Sequence, residues 1–145
     1  MFKHILVPVD GSSTSQLAVA KAIELAKAFA SQVTVIYVID PYPFTGVGTD
    51  FAYGQAEYLS AATAEANSAV HAAKSTLSDA GVTVDTSVVE SNSAWRGIVE
   101  AGDTLQADLI VMGSHGRSGL EKLMLGSVAH AVLSHTKLPV LVVRG

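Results

Sequence analysis

The chain has 145 residues, of which 49% are hydrophobic and 15% charged, with a mean hydropathy of +0.38. That length suits one domain and that composition supplies a core, which excludes wholesale disorder. Nine Lys and Arg against thirteen Asp and Glu leave a net charge of −4, so no nucleic-acid partner is expected.

The charge is unevenly spread. Residues 1–112 carry five basic and twelve acidic side chains, whereas 113–145 carry four and one. That asymmetry suits an anion site near the C-terminus, and equally a merely lopsided surface. Zero cysteines exclude disulfides, thiol catalysis and Cys-ligated metal. The opening apolar run meets Asp10 too soon for a signal peptide, and Leu17–Ala30 is broken by Lys21, Glu24 and Lys27. The expectation is a soluble cytoplasmic protein with no membrane insertion.

Five short runs rich in Val and Ile predict strands over Ile5–Val9, Val33–Ile39, Val82–Val89, Asp108–Met112 and Pro139–Val143. Ala-rich segments between them predict helices over Thr14–Ala30, Gln55–Asp79, Ala94–Thr104 and a stretch within Leu120–His135. Strand and helix alternating to the end predict an α/β doubly wound domain with a parallel sheet. Ser13 and Gln16 have capping-box spacing, Gly81 is placed to stop the second helix, and Ser93 to cap the third. In the first helix Leu17, Ala20, Ile23 and Leu25 are expected to face inward. The long connection Asp40–Gly54 holds two prolines, two internal glycines and four aromatics, and reads as a lid, a contact surface or a mobile excursion.

Ligands of open parallel sheets bind beyond the carboxyl ends of the strands, where strand order reverses. Two groups follow strands here: Asp10-Gly11-Ser12-Ser13, and Gly113-Ser114-His115-Gly116-Arg117-Ser118-Gly119 with Gly126-Ser127 beyond it. Gly113, Gly116 and Gly119 would turn the backbone with positive φ and let it approach a ligand. Gly126-Ser127 would open the last helix, whose unpaired amides favour phosphate. The competing reading has Ser118 and Glu121 form a capping box, with the helix running through Gly126. No P-loop and no dinucleotide fingerprint is present.

At Gly113-x2-Gly116-x9-Gly126-Ser127 the chain resembles the nucleotide-binding branch of the universal stress protein family. Flanks that also look like that family are Val7-Pro8-Val9-Asp10-Gly11-Ser12, Tyr37-Val38-Ile39-Asp40 and Leu138-Pro139-Val140-Leu141-Val142-Val143. The resemblance implies a single Rossmann-like domain with a five-stranded sheet of order 3-2-1-4-5. It implies bound ATP, with Asp10 at the ribose and the backbone of Val38 at the adenine. Gly113, Gly116, Gly126, Ser127 and Val128 would line the triphosphate, and Mg²⁺ would be held mostly by phosphate oxygens and water. It also implies a homodimer through the last strand, Pro139 to Arg144.

Val9 and Met112, next to these groups, are placed with the site, Met112 as core or pocket wall. His115 and Arg117 could neutralise phosphate or simply face solvent. The resulting expectation is a regulatory ATP-binding protein with an unidentified protein partner. A slow ATPase or phosphotransferase and a nucleotide-independent interaction module are the alternatives.

Overall fold

β-Branched residues stiff at χ1 favour a pleated surface, and five such runs pair side by side in a computed structural model that describes residues 1–41, 49–115 and 125–145. The elements are β1 (His4–Pro8), α1 (Ser13–Phe29), β2 (Gln32–Ile39), α2 (Thr49–Asp79), β3 (Val84–Glu90), α3 (Ala94–Thr104), β4 (Leu109–Gly113), α4 (Ser127–His135) and β5 (Val140–Val143). All pairings are parallel and the sheet order is β3-β2-β1-β4-β5. The doubly wound fold and its strand order are as expected.

The period of two along each strand divides the core. Ile5, Val7, Val9, Val33 and Val35 pack with residues of α1 and α2 on one face. Leu6, Ile36, Ile110 and Met112 pack with Ile98 of α3 and Val132 of α4 on the other. Ile5, Leu6, Val33, Ile36 and Ile110 are fully buried, and each such side chain stabilises the fold by about 1.5–3 kcal/mol. Two-sided burial explains why these strands read as continuous apolar runs.

Several local expectations change. The α1 cap is Ser12 rather than Ser13: its Oγ accepts the Ser15 N–H at 3.2 Å. Ala18, Val19, Ala22 and Ala26 form the inward face of α1, Ile23 and Leu25 are half-buried, and Leu17 and Ala20 are exposed. Ser93 caps α3 by position but makes no side-chain cap bond. Gly81 does end α2, at φ +86°, with the Val82 N–H donating to the Leu77 carbonyl; β3 therefore starts at Val84. α2 starts at Thr49, so Thr49–Gly54 of the long connection is helical. Residues 42–48, with Tyr42, Pro43, Phe44, Gly46 and Gly48, lie outside the described residues.

The end of the sheet away from the helix-capping loops is tied by one carboxylate. Asp108 Oδ2 accepts the Lys3 N–H at 2.8 Å, Oδ1 accepts the His4 N–H at 3.0 Å, and the Asp108 N–H donates to the His4 carbonyl at 2.9 Å. Burial pushes this carboxyl up, but the two donated N–H groups and the nearby His4 together hold it below its ordinary value of 3.8. A depressed acid contributes stability above its ordinary value and loses it as pH falls through the lower folded value. Asp108→Asn should therefore lower stability at pH 7 by about 1 kcal/mol and flatten the loss of stability below about pH 4. Urea unfolding of both proteins across pH 2–7 checks this; parallel curves would refute it.

Candidate functional site

The reversal of strand order opens a crevice between the C-terminal ends of β1 and β4. After β1 the chain turns through Asp10, whose Oδ1 accepts the Ser12 N–H at 2.9 Å, and Gly11, whose φ of +82° a side chain would strain. Asp10 thus fixes its own turn and also lines the crevice.

After β4, the Ser114 N–H donates to the Val143 carbonyl at 2.8 Å and the side chain is almost fully buried. The Ser114 carbonyl then accepts the Gly126 N–H at 2.8 Å, which brings the start of α4 onto the end of β4. A Cβ on Gly126 would lie 2.7 Å from that carbonyl oxygen. Glycine is needed for this approach, not for an unusual φ, since φ here is −66°.

Gly126 is the N-cap of α4, so no helix runs through it, which overturns the competing reading. Ser118 and Glu121 of that capping box lie outside the described residues. The first intrahelical bond runs from the His130 N–H to the Gly126 carbonyl. The N–H groups of Ser127, Val128 and Ala129 thus have no intrahelical acceptor and sit at the positive end of the helix.

Gly113 differs from expectation. Its φ is not positive; a Cβ there would lie 2.9 Å from Thr14 Cγ2, so it permits close packing of α1 on β4. Gly116, Arg117 and Gly119 lie outside the described residues.

Together these elements enclose a cleft of about 240 Å³. It is lined by Val9, Asp10, Val38, Met112, Gly113, His115, Gly126, Ser127 and Val128, which brings every described candidate residue into one place. Ser114, part of the group following β4, lines it as well, and Pro8, Ser15, Ala94, Ile98 and Ala129 also line it and were missed. Ala94 and Ile98 were legible as an i, i+4 pair opening α3. Their place in the wall follows from α3 packing beside α4, which only the fold supplies.

Val38 contributes through backbone geometry. The Gln32 N–H donates to the Lys3 carbonyl and the Ile36 carbonyl accepts the Val9 N–H, so even-numbered residues of β2 point their amides toward β1. Val38 is the next of that parity, beyond the end of β1 at Pro8. Its N–H and C=O therefore point into the crevice.

His115 adds a polar feature. Its Nδ1 is 3.1 Å from Ser114 Oγ, and its Nε2 is buried without a hydrogen-bond partner among the described residues. A buried polar atom left this way is costly until a ligand or water pairs with it. Among the described residues, no group of three or more His, Asp or Glu is placed to hold a metal ion, and no helix is long and apolar enough to cross a membrane.

The model of the universal stress protein family matches residues 1–144. The chain belongs to the universal stress protein family. It is 39% identical over 145 residues to universal stress protein MJ0531 of Methanocaldococcus jannaschii, covering 99% of this chain and 83% of that protein. The solved structure of MJ0577 superposes with a TM-score of 0.85 at 30% identity, covering 100% and 97%. A universal stress protein solved in complex with cAMP superposes with a TM-score of 0.71 at 26% identity, covering 99% and 97%.

The Gly126 contact makes a prediction of opposite signs at two glycines of this universal stress protein. Gly126→Ala should cost about 1–3 kcal/mol through the clash with the Ser114 carbonyl. Gly54→Ala, in α2 with nothing among the described residues within 4 Å of the new Cβ, should raise stability by up to about 1 kcal/mol. Chemical denaturation of both variants tests the pair; two changes of the same sign would contradict the packing described.

Proposed function

We propose that this universal stress protein is a regulatory ATP-binding protein, with the nucleotide in the cleft between β1 and β4. The observation that carries the reading is the open N-terminus of α4, held by the Gly126–Ser114 contact so that the Ser127, Val128 and Ala129 amides border the cleft. The residues fit a nucleotide at each part. Val38 offers backbone groups to an adenine edge, Asp10 a carboxylate to ribose hydroxyls, and Gly113, Gly126, Ser127 and Val128 a cradle for phosphates. Val9, Met112 and Ile98 supply apolar walls.

The buried Nε2 of His115 would gain a phosphate oxygen as its partner. Gly116, a motif position, and Arg117 beside it lie outside the described residues and would join the phosphate subsite on the strength of the sequence alone. Mg²⁺ would be held by phosphate oxygens and water, since it keeps much of its hydration. The cAMP complex of a relative supports an adenine nucleotide in this fold. Binding rather than turnover is favoured because, among the described residues, no carboxylate hydrogen-bonds His115 as an oriented base requires.

Occupancy would act in the cytoplasm on a protein partner or on a homodimer. β5 supports the dimer: it is a four-residue edge strand with Leu141 38% exposed, and pairing with its twofold mate would cover that edge. Leu141→Lys should then shift sedimentation from dimer to monomer, and an unchanged distribution would reject this interface.

Nucleotide binding is tested by denaturing freshly purified protein and quantifying released adenine nucleotide per chain, then titrating ATP with Mg²⁺ by calorimetry. Near-stoichiometric nucleotide, or saturable binding lost in Gly126→Val and weakened at least about tenfold in His115→Ala, is expected. Neither bound nucleotide nor saturable binding to the wild type would reject the proposal.

A further inference from the structure

A second feature lies at the opposite edge of the sheet from β5 and has no part in the cleft. β3 pairs with β2 through seven consecutive register partners, Val33↔Val84 to Ile39↔Glu90, so it is regular and free of bulges. It contains no proline, and among the described residues no strand lies on its other side. The Val33 N–H donates to the Thr83 carbonyl and the Ser91 N–H to the Ile39 carbonyl. Odd-numbered residues of this stretch therefore face β2, and Val84, Thr86 and Val88 turn their N–H and C=O outward. Among the described residues nothing is hydrogen-bonded to those groups.

Beside this edge runs a groove of about 490 Å³ between α2 and β3, lined by Asn67, Ser68, Val70, His71, Lys74 and Thr86. Lys74 and His71 are its only titratable lining residues, both exposed, and neither forms an ion pair among the described residues. Natural edges are often blunted by charge pointing along them. Here the acids of β3 are displaced from the groove. Asp85 is on the other sheet face, 3.3 Å from Gln32 Nε2, and Glu90 is at the far end of the strand. In a chain of net charge −4, this leaves the Lys74 ammonium as a local cation beside a row of backbone donors and acceptors with no partner among the described residues.

We propose that the free edge of β3 docks an extended acidic segment of another protein by strand addition. The guest's backbone would pair with Val84, Thr86 and Val88. Its side chains alternate between faces, so acidic residues at every second position would meet His71 and Lys74, and the intervening residues should be uncharged to avoid Asp85. Because β3 and β5 are opposite edges, dimerisation through β5 would leave this site open on both protomers.

The test uses the full chain and a short synthetic peptide alternating glutamate with valine, against one alternating lysine with valine. The acidic peptide should slow amide exchange at Thr86 and Val88 at least about tenfold and shift their ¹⁵N–¹H resonances at micromolar to millimolar concentration. Lys74→Glu should weaken it about fivefold or more at low salt, and Lys74→Gln somewhat less. Thr86→Pro should abolish it while the fold persists, because the N–H removed points outward from an edge strand.

Equal binding of the lysine peptide, shifts mapping elsewhere, or no shift at millimolar peptide would overturn the proposal. Protection of Thr86 and Val88 that appears with protein concentration alone would also overturn it, in favour of a second copy on this edge.

Discussion

The cleft end of this molecule depends on one hydrogen bond, from the Gly126 N–H to the Ser114 carbonyl. It joins the C-terminus of β4 to the N-terminus of α4 at a distance that leaves no room for a side chain. Helix dipole, open amides and strand-end loop are thereby brought to one point. Without that approach the same residues would still form a strand and a helix, but the amides of Ser127 and Val128 would not border the cleft.

The two ends of the sheet are built for different purposes. At the N-terminal end Asp108 receives two backbone N–H groups and ties β4 to the start of β1, which uses polar groups for cohesion. At the C-terminal end the turn at Asp10, the Val38 backbone and the α4 amides point toward open space. Between them the fully buried Val, Leu and Ile residues hold the strands in register, so the open end rests on a rigid base.

The sheet's two edges also differ in character. β5 is short and presents the exposed Leu141, which suits apolar closure against a like strand. β3 is longer and bordered by His71 and Lys74, which suits a partner of opposite charge. A parallel sheet covered on both faces has only its edges left for strand pairing, and here the two edges carry different chemistry.

Much of this was legible in the sequence. Val and Ile runs fell on every strand, and the Ala-rich segments on every helix, because two-sided burial gives each element a simple apolar signature. The cleft residues that follow β1 and β4 were recognisable by position and by the glycine motif, and Val38 only by the family resemblance. Local packing was less legible. Leu17 reads as a core residue but is exposed, because the face of α1 turned to the sheet is the one formed by Ala18, Val19, Ala22 and Ala26. Gly113 reads as a flexible hinge but is a packing glycine under Thr14. The sequence by itself determined the order of elements and which loops border the cleft, because those follow from periodicity and position along the chain. The tertiary structure alone decided that Ala94 and Ile98 wall the cleft, that Gly126 must lack a side chain, and that β3 is an edge strand among the described residues. Each of these is a distance between segments far apart in the chain, and no local pattern encodes it.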